Sequence, residues 1–245
     1  MTIHVLINGA FGKMGQMAVK TINDHTDFTL VGEIGRAHDL LAEIHRTKAE
    51  VVIDFTEANA ALKNTQTIIE AKARPVIGTS GLTKKDVINL EKRAEKLKLG
   101  GIIAPNFSLG AVLMMKYAKE IAAYFPHVEI IEMHHDGKLD SPSSTALRTA
   151  EMLATTRDVT YLTRKNSKEV VPGARGAYYQ NVPIHAIRLP GLVAHQKIIF
   201  GGIGETLTLQ HDAVDRACFM PGLVLACKKV MTLDHLVYGL DQILV

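Results

Sequence analysis

The chain has 245 residues, of which 47 % are hydrophobic, and its formal net charge is only +3. This length and composition support one large or two modest domains with a sizeable core. The small charge and the absence of Trp argue against a nucleic-acid-binding protein, and no apolar run approaches the roughly 20 residues that span a bilayer. We therefore expect a cytoplasmic protein with no targeting segment and with free thiols at Cys218 and Cys227.

The chain begins with a predicted strand, a glycine-rich turn and a helix. His4–Asn8 is a short apolar strand, residues 9–15 read Gly-Ala-Phe-Gly-Lys-Met-Gly, and an apolar helical pattern follows. A dinucleotide pyrophosphate rests on the helix N-terminus in such a setting. The spacing departs from the standard fingerprint, because Ala10 stands at the first glycine position when Gly12 and Gly15 occupy the other two.

A second predicted strand, Phe28–Ile34, carries an acid at about the expected distance from the glycine turn. Glu33 follows the turn by about 20 residues, where an acid accepts hydrogen bonds from the adenosine ribose. Arg36 and Lys13 carry charges that would neutralise the 2′-phosphate of NADPH, so the residues leave NADH and NADPH both open. The simpler alternatives are an ordinary exposed acid at Glu33 and a solvated charge at Arg36.

Three more predicted strands each end in small or polar residues. Helices are predicted between them from about Ala58 to Ala71 and over Thr83–Leu99, where Thr83 is the N-cap and Asp86 follows three residues later. Because ligands bind outside the carboxyl ends of parallel strands, the strand ends should line one crevice. The strands are Val51–Phe55, Pro75–Gly78 and Ile102–Ala104, and the residues at their ends are Phe55, Thr56, Gly78, Thr79, Ser80, Ala104, Pro105, Asn106 and Phe107.

The second half of the chain has a different pattern. A helix is predicted over Ala111–Ala123, and a polar stretch without periodicity covers 157–176. Consecutive strands at Val182–Leu189, Val193–Phe200 and Glu205–His211 indicate an antiparallel or mixed sheet. A last helix is predicted over Asp215–Met231. The expected fold is thus α/β, with an N-terminal Rossmann-type, doubly wound parallel sheet followed by an α+β domain with a mixed sheet.

Residues 129–145 concentrate the chemistry of this second half. A strand, Glu129–Met133, ends at His134 and His135, a loop carries Lys138, and Ser143 or Ser144 caps the next helix. The two histidines, Lys138 and the amides near Ser144 and Thr145 would form a cationic, proton-donating cup that suits a carboxylated substrate. The plain alternatives are exposed histidines and a solvated lysine. No metal site is expected, since adjacent strand residues point to opposite faces.

These motifs resemble the 4-hydroxy-tetrahydrodipicolinate reductase (dihydrodipicolinate reductase) family of lysine biosynthesis over nearly the whole chain. The landmarks are residues 9–15, Asp54-Phe55-Thr56, Gly78-Thr79-Ser80-Gly81, residues 104–108 and the highly specific run 132–146. The resemblance implies a dinucleotide-binding domain of residues 1–108 and 215–245. It also implies a substrate-binding and tetramerisation domain of residues 109–214, and hence a homotetramer.

The resemblance also implies NADH or NADPH as the cofactor and reduction of a small-molecule dicarboxylate heterocycle. It makes His134 and Lys138 catalytic proton donors and makes His135, Ser144 and Thr145 substrate contacts. The implied cofactor contacts are Gly9, Ala10, Phe11, Gly12, Lys13, Met14, Glu33, Gly78, Thr79, Ser80, Ala104, Pro105, Asn106 and Phe107. The reasoning from charge and strand ends adds Arg36, Phe55 and Thr56 to the predicted cofactor contacts.

Two departures and two alternatives accompany this resemblance. The family usually has glycine where this chain has Ser144, and many relatives read Gly-Glu-His where it has residues 194–196, Ala-His-Gln. The alternatives are another two-domain NAD(P) dehydrogenase and a non-catalytic NAD(P)H sensor. Neither would need two proton donors and an amide pair in one loop.

Overall fold

The computed structural model describes residues 2–156 and 168–244. The chain forms two compact units, one of residues 1–109 and 216–245 and the other of residues 110–215. Residues 157–167 of the predicted polar stretch lie outside the described residues. Within the described part of the chain, no helix is both long and apolar enough to cross a membrane.

The first unit contains a six-stranded sheet in which every pair of neighbouring strands is parallel. Its strands are β1 (Ile3–Asn8), β2 (Phe28–Ile34), β3 (Val51–Asp54), β4 (Arg74–Ile77), β5 (Gly101–Ile103) and β11 (Leu236–Tyr238). Their order is β11-β5-β4-β3-β1-β2, so the chain reverses its direction across the sheet between β1 and β3. Ligands bind at such a switch point, outside the carboxyl ends of the strands.

The helices of this unit follow the amphipathic pattern of the sequence. They are α1 (Lys13–Asn23), α2 (Leu40–Thr47), α3 (Ala61–Glu70), α4 (Lys84–Lys96) and α7 (Met220–Lys229). At α4 the Thr83 side chain accepts the Asp86 amide and the Asp86 side chain accepts the Thr83 amide, which confirms the predicted N-cap. Leu90 and Ala94 of α4 are fully buried in a core with Leu6, Val52 and Ile77 of the sheet.

The second unit contains a mixed five-stranded sheet of order β10-β9-β6-β8-β7. Its elements are α5 (Leu109–Ala122), β6 (His127–His134), α6 (Ser144–Ala154), β7 (Ala177–Tyr179), β8 (Val182–Arg188), β9 (Ala194–Gly202) and β10 (Glu205–Ala213). The central strand β6 runs parallel to β8 and antiparallel to β9. Val128 and Ile130 of β6 are buried with Ala118 of α5 and Ala150 of α6. This places β6, and the histidine at its end, in the middle of the unit.

The predicted parallel sheet and the predicted mixed sheet are both confirmed, and the differences lie in short elements. The sequence patterns missed α2, β7 and β11. The last predicted helix was wrong at its start, because Arg216–Phe219 is a 3-10 turn and α7 begins only at Met220. Pro221 at the start of α7 explains this boundary, since proline suits the first helical turn and not the interior of a helix.

Candidate functional site

The turn after β1 is built around two glycines that the fold itself requires. Gly9 has φ +85°, and a Cβ there would lie 2.5 Å from the carbonyl oxygen of Phe55. A Cβ on Gly15 would lie 2.0 Å from the carbonyl oxygen of Gly9. Both approaches are too short for any side chain, so the two glycines let the turn sit against β3 and let α1 sit against the turn.

Gly12 lies in the same turn but has room for a side chain. A Cβ on Gly12 would meet the Gly9 carbonyl oxygen at 3.5 Å, which is ordinary van der Waals contact. Gly12 is the N-cap of α1 and brings no side chain to the first-turn amides. Those amides and the positive end of the helix dipole therefore face a space that an anion can enter. A pyrophosphate fits this turn, and a glycine at position 12 leaves the approach open for it.

A cavity of about 1060 Å³ opens beside this turn, within the first unit. Among the predicted cofactor residues, those that line it are Gly9, Phe11, Gly12, Arg36, Phe55 and Thr56. Arg36 forms an exposed ion pair with Glu57, another lining residue that the sequence did not single out. The predicted contacts Ala10, Lys13, Met14 and Glu33 are not among the residues that line the cavity. Ala10 is buried, and Glu33 is exposed within β2, one residue before its end.

The ends of β3, β4 and β5 meet through two aromatic rings. Phe55 and Phe107 pack edge to face with ring centroids 5.8 Å apart. A Cβ on Gly78 would lie 2.2 Å from the Phe55 ring, so only glycine lets both rings pack there. The structure thus brings Phe55, Gly78 and Phe107 together. Of these three, only Phe55 lines the cavity. Among the other predicted residues of these ends, Thr79 and Ala104 are buried, whereas Ser80, Pro105 and Asn106 reach the surface.

A buried carboxylate, Asp54, ties these strand ends together. Asp54 is fully buried, and its Oδ2 accepts hydrogen bonds of 2.9 Å from Asn8 and of 2.9 Å from Asn64. Its Oδ1 accepts from the hydroxyls of Thr56 at 2.7 Å and Thr79 at 2.5 Å. Hydroxyl and amide donors thus satisfy a buried charge that would otherwise be costly. The ends of β1, β3 and β4 are held in one fixed arrangement.

In the second unit, His134 ends β6 beside a fully buried acid, Glu132. The Nδ1 atom of His134 lies 2.5 Å from Oε2 of Glu132. Arg188, which pairs with His134 in the β6/β8 register, donates to both oxygens of Glu132, at 2.9 and 2.8 Å. Burial lowers the pKa of His134 below its ordinary value; the Glu132 carboxylate opposes this shift, and the charges of Lys138 and Arg188 add to it.

The loop after β6 places a lysine, Lys138, near this histidine. Lys138 Nζ donates to Asp140 Oδ1 at 2.6 Å, and this bond holds the pKa of Asp140 below its ordinary value. The positive charge of Lys138 is close enough to lower the pKa of His134. His135 is exposed at the start of the loop. Two imidazoles and an ammonium therefore belong to one short segment.

The first turn of α6 follows this loop. Ser143 is the N-cap, and its hydroxyl accepts the Ala146 amide at 3.2 Å. Ser144 and Thr145 are the first two helical residues, where backbone amides can meet an anion. Ser144 is exposed and is not among the residues with positive φ, so the backbone there accommodates a side chain in place of glycine.

Sequence reasoning missed Glu132, Arg188 and the network of Asp54. Glu132 has a signal in the sequence, because residues two apart on a strand share a face and Glu132 precedes His134 by two. Asp54 has a weaker one, as a charged residue at the end of an otherwise apolar strand. Arg188 has none, since its contact with Glu132 joins residues 56 apart in the chain.

Comparisons with known proteins identify the family of the chain. The sequence model described as "Dihydrodipicolinate reductase, N-terminus" matches residues 3–107, and the one described as "Dihydrodipicolinate reductase, C-terminus" matches residues 110–244. The chain is 52 % identical over 244 residues to 4-hydroxy-tetrahydrodipicolinate reductase of Coxiella burnetii (strain RSA 493 / Nine Mile phase I), with 100 % of both chains covered. It is 51 % identical over 247 residues to the protein of that name in Legionella pneumophila (strain Paris), again with 100 % of both covered.

Solved structures give the same result. The dipicolinate-bound dihydrodipicolinate reductase from Paenisporosarcina sp. TG-14 superposes with a TM-score of 0.93 at 44 % identity and 100 % coverage of both chains. An amine dehydrogenase from Mycobacterium smegmatis shares the fold alone, with a TM-score of 0.67 at 11 % identity over 98 % of this chain and 96 % of that one. Family models over both halves and relatives above 50 % identity lead to one conclusion: this chain belongs to the dihydrodipicolinate reductase family.

Proposed function

We propose that this protein reduces 4-hydroxy-tetrahydrodipicolinate to tetrahydrodipicolinate with NADH or NADPH, a step of diaminopimelate and lysine biosynthesis. The observation that carries the proposal is the loop at the end of β6. It joins a carboxylate-held histidine, a lysine and a helix N-terminus in a chain whose full-length relatives carry this reductase name.

The first unit is proposed as the dinucleotide-binding domain. The first-turn amides of α1 suit the pyrophosphate, and the cavity beside them is large enough for a nucleotide-sized ligand. The Asp54 network and the Phe55–Phe107 pair hold the strand ends that flank this site. When bound, the reduced nicotinamide supplies the hydride, and the protein orients it.

Arg36 is proposed to contact the 2′-phosphate when NADPH is the cofactor. Arg36 lines the cavity and is exposed. Its ion pair with Glu57 is weak, because exposed ion pairs contribute about 0–1 kcal/mol to stability. A phosphate can replace such a partner and form a bidentate contact. Glu33 is the alternative determinant, a carboxylate for the ribose of NADH, and its place within β2 makes it the weaker of the two.

The second unit is proposed as the substrate domain. The substrate carries two carboxylates, and its recognition therefore needs cations and amide donors. His135, Lys138 and the backbone amides of Ser144 and Thr145 supply both kinds of group within eleven residues. Binding across these groups would hold the ring against the end of β6.

His134 is proposed as the proton donor, with Lys138 as the second acid. Protonation makes an imine more electrophilic toward hydride, so a donor beside the ring accelerates the transfer. Because Nδ1 of His134 faces Glu132, the proton must leave from Nε2. The positive charge of Lys138 promotes this release, since it destabilises the imidazolium.

A homotetramer in the cytoplasm completes the proposal. One face of the five-stranded sheet packs against α5 and α6, and the opposite face carries a row of partly exposed aliphatic side chains. These are Ile131, Met133, Ile187 and Ile199. A second copy of the chain could cover this row, which supports self-association through the sheet.

The test is a spectrophotometric assay of the purified protein. Heterocycle is made fresh by condensing pyruvate with aspartate semialdehyde, and oxidation of NADH and of NADPH is followed separately. Oxidation that requires the heterocycle is the expected result. Cofactor binding without oxidation would contradict the proposal and would indicate a sensor. Oxidation of the cofactor only with other substrates, such as amino-acid semialdehydes, would indicate a different dehydrogenase.

A further inference from the structure

Glu132 has no role in the function proposed above, yet it is fully buried and four hydrogen bonds converge on it. We propose that Glu132 is a positioning residue that fixes the tautomer and orientation of His134 and, through the same carboxylate, the start of α6. The kinetic consequences of this inference rest on the proposed function. The tautomer and the pKa of His134 can be measured without turnover.

The acceptor capacity of the carboxylate is completely used. Oε2 accepts from His134 Nδ1 at 2.5 Å and from Arg188 at 2.9 Å, while Oε1 accepts from Arg188 at 2.8 Å and from the Ser143 amide at 3.2 Å. A carboxylate offers about four acceptor positions, and all the partners here are donors. Nδ1 must therefore carry a proton in every state of the imidazole, and Nε2 is the nitrogen that titrates.

The same carboxylate links the proton donor to the helix that is proposed to hold the substrate. Ser143 is the N-cap of α6, and its amide is bound by Glu132 while its hydroxyl caps the first turn. Arg188 also donates to the carbonyl oxygen of Asp140, in the loop between β6 and α6. The end of β6, the loop and the helix start thus share one buried anchor. A change at Glu132 would disturb acid and substrate contact together.

The charges that face His134 define the sign of the effect on titration. Glu132 on the same strand is negative, whereas Arg188 on β8 and Lys138 in the loop are positive. The loop also carries two acids, Asp136 and Asp140, of which Asp140 is paired with Lys138. Burial lowers the pKa of His134 and the Glu132 carboxylate raises it. Removing the charge of Glu132 therefore lowers the pKa of His134 further, so that the imidazolium loses its proton at a lower pH than in the wild type.

The variant that isolates the charge is Glu132→Gln, which keeps the size of the side chain. The glutamine amide has one acceptor oxygen and one NH2 group, whereas the carboxylate has two acceptor oxygens. The NH2 group must therefore face another donor, either His134 Nδ1 or the Ser143 amide at the start of α6. Glu151→Gln is the matched control. Glu151 also accepts from an arginine, Arg148, and from Tyr179 in the same unit, but it has no contact with His134 among its described bonds.

The imidazole is observed by 15N NMR of wild type and both variants as the pH is varied. The neutral ring of the wild type should be the Nδ1–H tautomer, and Glu132→Gln should lower the pKa of His134 by about one unit or more. Glu151→Gln should leave both unchanged. An Nε2–H tautomer in the wild type would overturn the proposal, and that measurement stands even if Glu132→Gln fails to fold. An unchanged pKa in a folded Glu132→Gln would also overturn it.

Kinetics give the functional counterpart. Glu132→Gln should lower kcat on the order of 100-fold and shift the alkaline fall of kcat/KM to lower pH, with the Kd for NADPH unchanged. Glu132→Asp, which restores the charge, should recover the pH profile in part. If the pH dependence of kcat/KM in Glu132→Gln has the same shape as in the wild type and differs only in magnitude, the role of Glu132 is purely structural and the proposal is overturned. A wild type that oxidises neither cofactor would contradict the reductase assignment, while the NMR result would still decide the role of Glu132.

Discussion

The side-chain amide of Asn8, at the end of β1, donates a 2.9 Å hydrogen bond to Asp54, at the end of β3. These two strands flank the point where the sheet reverses direction, which is where a Rossmann-type sheet binds its ligand. The glycine turn begins one residue after Asn8. The buried carboxylate therefore fixes the base from which the cofactor turn projects.

Replacing that carboxylate should loosen the whole edge of the sheet. Asp54→Asn puts an NH2 group where donors from Asn8 and Asn64, or from Thr56 and Thr79, already point. We expect the free energy of unfolding to fall by about 1–3 kcal/mol, as measured by urea denaturation. Asp86→Asn in the exposed capping box of α4 should change it by about 0.5 kcal/mol or less. Equal losses in the two variants would argue against a special role for the buried network.

Two glycines of the same turn should respond in opposite ways. Gly15→Ala forces a Cβ against the Gly9 carbonyl and should destabilise the protein by about 1–3 kcal/mol. Gly12→Ala meets only ordinary contact and should cost less than about 1 kcal/mol, but its methyl group obstructs the pyrophosphate. Thermal unfolding and a fluorescence titration with NADPH separate the two effects. A Gly12→Ala variant that binds NADPH as tightly as wild type would place the pyrophosphate elsewhere.

Sequence patterns predicted the long elements because those elements are encoded locally. Strand β2 occupies its predicted range, Phe28–Ile34, and the cap of α4 lies at Thr83 as predicted. Short elements lack this local signal: α2 has eight residues and β11 only three. β11 forms because its backbone pairs with β5, which the sequence of β11 alone does not indicate.

The site shows the same division. The loop of His134, Lys138 and Ser144 is contiguous in sequence and was visible as a motif. Glu132 and Arg188 hold this loop, and they meet only because β6 pairs with β8. The Asp54 network likewise joins residues up to 46 positions apart in the chain. Glu33 shows the limit of spacing. Spacing predicts it as a ribose contact, but it does not line the cavity, whose wall there is the loop that follows β2, so its role stays a prediction.

Cofactor choice should depend on that loop. Arg36→Ala should raise KM for NADPH roughly tenfold and change KM for NADH by less than about twofold, because only NADPH carries the 2′-phosphate. Glu33→Gln is the comparison variant, and we expect it to leave both KM values within about twofold. Steady-state kinetics with each cofactor measures both. A loss confined to NADH in Glu33→Gln would assign the ribose to Glu33, and an unchanged KM for NADPH in Arg36→Ala would remove Arg36 from the site.

Two histidines should make the fold sensitive to mild acid. Burial lowers the pKa of both His134 and His211 below the ordinary value of 6.5. The folded state therefore binds fewer protons than the unfolded state at mildly acidic pH, so stability is fully present above the ordinary histidine pKa and is lost as pH falls toward the folded values. Urea unfolding at about pH 7.5 and about pH 5.5 should show the decrease. His211→Gln should reduce it, and an unchanged pH dependence in that variant would contradict a role for His211.

The measurement that tests the central claim most directly is the steady-state reduction of the heterocycle by His134→Gln. The variant keeps a polar side chain at the end of β6 but cannot donate the proton of an imidazolium. We expect kcat to fall by about 10²- to 10⁴-fold with KM little changed and with unaltered binding of NADPH. Lys138→Ala should lower kcat and raise KM, since Lys138 is proposed both to bind the substrate and to donate a proton. A His134→Gln variant with a kcat near that of the wild type would contradict the assignment of this loop as the reducing site.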